Sequence, residues 1–227
     1  MTMKRQNITR QLDQHDARPT SSPSRQRQTD EARRVLLEAT ITCLDKFGYA
    51  ATSIARIQEQ ADVSRGALTH HFPSKEELMV ATIDNLLEHL LHPSLPSKKL
   101  SQTDIIADLR WLARNMTGTA KGRALSEVLL ATRTDKKLRA RVSPRLSDWN
   151  TKLDHAVLGF YASPSDDDDD VRQIWMIART FMRGLILQQP FTPDPADIEQ
   201  AINRFGRLIA PYLETRKRAG VADEKSL

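Results

Sequence analysis

The sequence has few of the residues that usually carry chemistry. It holds a single cysteine, Cys43, in 227 residues. That excludes an intramolecular disulfide and suits a reducing compartment. Cys43 falls inside an apolar helical pattern, where a small core side chain is the reading. Aromatics make up only 5% of the chain, with three Trp, so each buried ring counts. No run approaches the ~18 apolar residues of a membrane span. The N-terminal stretch has no apolar segment of the secretory kind. A cytoplasmic protein with no membrane partner is expected. No G-x-S-x-G, glycine-rich phosphate loop, H-E-x-x-H or zinc-spaced Cys/His set occurs. No enzyme activity, catalytic residue, metal or cofactor is therefore expected. The Asp run at 166–170 lacks the alternation and glycine of a calcium loop; it reads as a loop that feeds negative charge into a helix N-terminus. No period-2 run is long enough for a strand, and no internal repeat is found.

What the chain has is enough apolar content for a core, 39%, with 28% charged residues and a net charge of +5. The positive excess is uneven. Residues 1–29 hold six Lys/Arg against two Asp, whereas residues 30–80 hold six basic against eight acidic side chains. Residues 1–28 are rich in Gln, Ser, Pro and Arg without apolar periodicity, the composition of a disordered basic arm. From Thr29 onward the pattern is helical, with Val35, Leu36, Ala39, Ile41, Cys43, Leu44 and Phe47 as the inward stripe and Gly48 as its stop. Beyond a Pro-rich break at 92–99 the spacing predicts helices over 104–116, 121–132, 136–161 (with Pro144 inside), 171–189 and 197–218. The fold class is all-α with about nine helices. Residues 29–75 form an N-terminal helical unit and 76–227 a larger helical body.

The segment from Thr52 to Leu78 is the most specific. Thr52 or Ser53 caps a helix of about two turns, Ser64 caps another that ends before Phe72-Pro73, and Ser74 with Glu77 forms a capping box for the next. Two helices this short need support from their neighbours. Short helix, tight turn, short helix is helix-turn-helix geometry, whose second helix meets base edges in the major groove. On this reading Arg65, Gly66, Thr69, His70 and His71 face DNA. The helix starts at Thr52/Ser53 and Ser74/Lys75 offer backbone N–H groups to phosphates, and Ser64 is a further candidate DNA contact. The His70-His71 pair could also suggest a metal. Adjacent helical residues point about 100° apart, however, and share one ion poorly. Gly66 costs about 1 kcal/mol within a helix; close approach to DNA and close helix–helix packing are both open explanations.

The stretch TSIARIQEQADVSRGALTHHFPSKEEL, with the FGYAATS entry before it, resembles the DNA-binding signature of tetracycline-repressor-type (TetR-family) transcriptional regulators over residues 30–80. The chain departs from that pattern at Asp62, where the family usually has glycine, and at Thr69, where it usually has tyrosine. The resemblance implies a ligand-responsive homodimeric repressor of double-stranded operator DNA, with a helical ligand-binding and dimerisation body. A small-molecule-binding or interaction module without an operator is the alternative. In the body, Trp111, Met116, Trp149, Trp175, Met176 and Met182, with Arg110, Arg114, His155 and Arg179 as polar anchors, are the candidate effector site. They would suit an aromatic or amphipathic molecule, acids included. Filling the core is the competing explanation for the rings. Stripes including Ile174, Phe181 and Leu185 in one helix and Ile198, Ile202, Phe205 and Ile209 in the next are the expected dimer interface.

Overall fold

A computed structural model describes residues 23–94 and 105–216. Most of the expected arm, and the core of the Pro-rich break, lie outside the described residues. The helices are α1 (Pro23–Ala51), α2 (Ile54–Ala61), α3 (Arg65–His71), α4 (Lys75–Ser94), α5 (Ile105–Leu112), α6 (Ala120–Ala131), α7 (Lys136–Leu158), α8 (Asp168–Gln188) and α9 (Pro195–Ile209). A π-helical turn, Ala113–Thr117, follows α5. The all-α class holds, with nine α-helices among the described residues.

Several boundaries differ from the sequence expectation for identifiable reasons. α1 begins at Pro23 rather than Thr29; proline's fixed φ suits the first helical position, where its missing N–H is not needed. Its regular path breaks at Gly48, with φ 73°, a left-handed turn that glycine adopts without a Cβ clash. α8 begins at Asp168, with Asp167 as its cap, so the Asp run enters the helix. The last helix does not reach Arg218. It stops at Ile209 and becomes a 3-10 turn at Ala210–Tyr212, because Pro211 cannot donate into the ladder. Beyond that turn the chain is extended: β2 (Glu214–Thr215) pairs antiparallel with β1 (Tyr161–Ala162). The sequence gives no sign of this two-residue clip, which is too short to show alternation.

One core runs through both halves of the chain. Leu36, Leu44, Ile57, Leu68 and Ile83 are fully buried in the N-terminal part, and Leu109, Val128, Leu138 and Val142 in the body. The N-terminal head is braced against the body mainly where α1 lies on α6. Arg123 makes a bidentate pair with Asp45 at 2.6 and 2.9 Å. Lys121 lies 3.5 Å from Glu38, and Glu127 accepts the backbone N–H of Tyr49 at 3.1 Å. On α4, Asp84 and Glu77 pair with Arg145 and Arg141 of α7, and Trp149 donates its indole N–H to the Leu87 carbonyl at 3.0 Å. Phe47, expected in the inward stripe of α1, is 48% exposed. Arg56 covers its ring at 4.8 Å.

Candidate nucleic-acid interface and effector cavity

The helix-turn-helix is built by local capping. Ser53 Oγ accepts the N–H of Arg56 at 3.2 Å and starts α2. α2 ends at Asp62, which takes the left-handed conformation at φ 52° and ψ 47°. This is the position where the family pattern noted above has glycine. Asp is among the few side chains that visit this region routinely, so the turn survives the substitution. Ser64 Oγ then accepts the N–H of Ala67 at 3.2 Å and starts α3. Leu68 and Phe72, 1% and 2% exposed, pin α3 to the core, and the Arg33 guanidinium lies 4.5 Å over the Phe72 ring. Ser74 caps α4 through the N–H of Glu77 at 3.1 Å.

The opposite face of α3 is open. Arg65, Gly66, Thr69 and His70 are exposed, and no described residue pairs with Arg65. A Cβ built on Gly66 would meet nothing nearer than Ser64 Oγ, at 4.0 Å. Helix packing within the subunit therefore does not explain this glycine. Thr69 donates its hydroxyl back to the Arg65 carbonyl at 2.9 Å. His71 is half-buried, edge-on to His70 with centroids 5.3 Å apart. No group of three or more potential metal ligands occurs among the described residues.

Two of the expected contact residues do not present their side chains outward. Thr52 is fully buried, and its hydroxyl donates to the Gly48 carbonyl at 2.7 Å. It secures the α1–α2 corner, as expected where the chain turns sharply after a glycine. Lys75 folds inward, its ammonium 4.7 Å from the Tyr49 ring centroid and 3.4 Å from the Tyr49 carbonyl. Burial lowers its pKa. The expected phosphate clamp at this position is thus reduced to the N-terminal backbone of α4.

In the body, an apolar cavity of about 100 Å³ lies between α5, α6, α7 and α8. Its walls include Trp111, Met116, Trp149, Phe160, Tyr161, Trp175 and Met182, with Asp108, Arg179 and Arg183 as charged members. A neighbouring cavity of about 260 Å³ is lined by Arg110, Arg114, Glu199 and Ile202. The two share Thr117, Met182 and Ile186. Six of the ten expected effector residues meet at the first cavity: Trp111, Met116, Trp149, Trp175, Arg179 and Met182. Four do not. Arg110 donates to Asn203 at 2.7 Å and Arg114 approaches Glu199 at 3.3 Å, so both belong to the second cavity. His155 and Met176 are exposed, since they sit on the outer faces of α7 and α8.

The cavity's polar groups are unequally satisfied. The Tyr161 hydroxyl donates to Asp108, and Arg179 pairs with Asp154 at 3.0 Å. Arg183 has no hydrogen-bond or ion-pair partner among the described residues. Burial, and then the neighbouring Arg179 charge, hold its guanidinium below the ordinary range; it stays protonated at neutral pH. The indole N–H of Trp175 is buried without an acceptor. Arg183 was not among the expected residues, yet it was legible. Trp175, Arg179, Met182, Arg183 and Ile186 recur at helical spacing on one face of α8.

The expected dimer residues also sort unexpectedly. Ile202 and Ile209 are buried in the subunit's own core, and Phe181 stacks on Phe205 at 4.2 Å within the chain. Ile174, Leu185 and Ile198 pack partly buried against that core. The sequence stripe marks the inward faces of α8 and α9. The outward apolar positions are Ile177 and Leu187 on α8, Leu208 on α9 and Tyr212 just beyond it, 47–71% exposed.

An exposed, capped second helix set on an all-α body defines a helix-turn-helix DNA-binding regulator. Residues 36–82 match the family model described as bacterial regulatory proteins, tetR family. The chain is 31% identical over 189 residues to the HTH-type transcriptional regulator BetI of Paraburkholderia xenovorans, covering 82% of this chain and 96% of that protein. It is 27% identical over 187 residues to the HTH-type transcriptional regulator CymR of Pseudomonas putida, covering 80% and 92%. A TetR-family regulator structure from Rhodococcus sp. shares the fold at TM-score 0.60 and 16% identity, over 79% of this chain and 99% of that one. A transcriptional regulator from Saccharomonospora viridis, solved in complex with choline, superposes at TM-score 0.60 and 16% identity, over 83% and 100%. The chain belongs to the TetR family of transcriptional regulators, and its relatives are regulators rather than enzymes. No helix of the described residues is long and apolar enough to cross a membrane.

Proposed function

We propose that this regulator is a cytoplasmic homodimeric repressor, released from its operator by a small aromatic or amphipathic effector. The head, α1 to α3, reads DNA through Arg65, Gly66, Thr69, His70 and His71, with the capped starts at Ser53, Ser64 and Ser74 offering N–H groups to phosphates. The body from α4 onward binds effector and partner subunit. The observation that carries the DNA-reading face is Gly66: a helix-disfavouring residue with open space around it, beside an Arg65 that no described residue pairs. Such a site fits a backbone that must lie close to another molecule.

α6 supports a route from cavity to head. Gly122, Leu125 and Ser126 line the cavity, while Lys121, Arg123 and Glu127 of the same helix hold α1. Gly122 is wedged against the π-helical turn: a Cβ there would lie 2.2 Å from the Met116 carbonyl oxygen. At about 100 Å³ the cavity is smaller than the ~150 Å³ void that accepts benzene. A ring-sized effector therefore enters only as the wall gives, and Met116 and Met182 are the adaptable parts of it. Movement of the π-helical turn displaces α6, and α6 carries α1. Two recognition helices held ~34 Å apart for successive major grooves would then lose their spacing. The effector does this by binding the displaced state more tightly.

For the dimer, the exposed apolar side chains on α8 and at the α9 end are the candidates for an interface. The direct test of the whole reading is a gel shift with DNA flanking the chain's own coding region, at stated salt. Absence of a specific complex would remove the operator from the proposal.

A further inference from the structure

The cavity's unmet groups are all donors. Arg183 lines the cavity without an ion-pair partner among the described residues, and Trp175 has a buried indole N–H without an acceptor. The two other ionised groups of this wall are engaged: Asp108 receives the Tyr161 hydroxyl and Arg179 is matched by Asp154. Among the described residues no buried side-chain acceptor without a partner lines either cavity; Asn85 Oδ1, which is such an acceptor, is on α4 and is not in the wall. A ligand that completes this site brings acceptors, and at Arg183 it brings negative charge.

We infer that the effector is an apolar monocarboxylate whose carboxylate is held by Arg183, with its ring or chain among Trp149, Trp175 and Met182. The inference rests on the effector reading above and narrows it to a chemical class. Arg and carboxylate match in geometry, and Arg can bind the group through two parallel N–H donors. Trp175, two helical turns earlier on α8, lines the same cavity, and its unmet indole N–H is the second donor a ligand acceptor would satisfy. The aromatic wall by itself would also accept a quaternary ammonium through cation–π contact. Arg183 and Arg179 on the same helix face argue against a cation, since a second like charge in a small apolar site is repelled.

The arrangement predicts a trade. A half-buried guanidinium with no partner destabilises the ligand-free fold, and an apolar group of similar length would not. Arg183→Met should therefore raise the melting temperature of the ligand-free protein while removing acid binding. Such opposition separates a ligand-holding residue from a structural one.

The experiment is thermal shift and calorimetry on the full chain with three probe sets: phenylacetate and octanoate, their primary amides, and the corresponding amines together with choline. Carboxylates should raise the melting temperature by mass action. Their amides should bind roughly ten- to a hundred-fold more weakly, the loss of a charge-assisted hydrogen bond, and the cations should give no shift. Arg183→Met should lose carboxylate affinity by a similar factor, and Arg183→Lys should recover part of it. The inference is overturned by no carboxylate shift at millimolar concentration, by amides or cations binding as well as acids, or by an Arg183→Met protein that binds acids unchanged. Gel shifts run in parallel keep the two readings apart. Acid binding without release of DNA sinks the release mechanism but leaves the ligand class standing. Release by a cation does the reverse.

Discussion

Replacing Gly66 with alanine opposes fold and function in one residue. Gly66 is the second residue of α3, and its φ is not in the left-handed region, so alanine fits the backbone. A Cβ would meet only Ser64 Oγ, at the ordinary van der Waals distance of 4.0 Å. Nothing in the subunit opposes the change. Glycine in a helix costs about 0.5–1 kcal/mol relative to alanine, and near the N-terminus the lower end applies. For a chain of this size that gives a rise of about 1–2 °C in melting temperature. On DNA the same methyl group intrudes into a closely packed junction, where overpacking costs about 1–3 kcal/mol. Each half-site should lose about 5- to 150-fold in affinity. Differential scanning fluorimetry and fluorescence anisotropy on one preparation measure both effects. A Gly66→Ala protein that binds the operator like wild type refutes close approach at this face. One that is less stable than wild type refutes the claim of open space.

The same geometry sets three other expected outcomes. Arg65→Ala should abolish specific operator binding, by about 1–3 kcal/mol per half-site if it reads a base, while the sedimentation coefficient stays that of the intact assembly; retained affinity and salt slope would show that α3 docks differently. Deleting residues 1–22 removes four Lys/Arg without entering α1, and log K should then fall less steeply with log salt, by up to about 0.9 for each phosphate no longer neutralised; an unchanged slope would mean that the arm does not touch DNA. Leu208→Asp, at a position 71% exposed in the subunit, should leave the melting transition of the subunit nearly intact but yield monomers by analytical ultracentrifugation. A dimer that persists moves the interface elsewhere.

The recognition unit was legible because its signals are local. Ser53, Ser64 and Ser74 cap as expected, Leu68 and Phe72 point inward, and Pro73 stands just past α3. Asp62 shows the limit of residue-by-residue matching: the left-handed turn persists without the usual glycine, so what the position specifies is a conformation. The body was less legible for a physical reason. A helix packed on two sides is apolar nearly all round, so periodicity cannot say which stripe meets the subunit's own core and which meets a partner. That is why Phe181 and Phe205, expected at the dimer interface, are found stacked on each other within the subunit. Arg110 and Arg114 fall on the second cavity rather than the first for a related reason. Their counterparts Asn203 and Glu199 are more than eighty residues away in sequence, and composition carries no trace of that pairing.

The two sites answer to one criterion. Gly66 weakens its helix with no compensating packing in the chain. Arg183 lines an apolar wall without an ion-pair partner among the described residues, and Trp175 leaves a buried N–H donor unmatched there, an arrangement that costs free energy. Elsewhere the chain shows that such needs can be met internally: Trp149 finds the Leu87 carbonyl, Thr52 finds Gly48, and Arg123 finds Asp45. The contrast locates function more sharply than the resemblance does, because it marks where this subunit is incomplete by itself. One deficit is steric and asks for a surface pressed against α3. The other is electrostatic and asks for acceptors inside the body. On the proposed mechanism α6, which lines the cavity and is tied to α1, is the element through which satisfying the second deficit changes how well the first can be met.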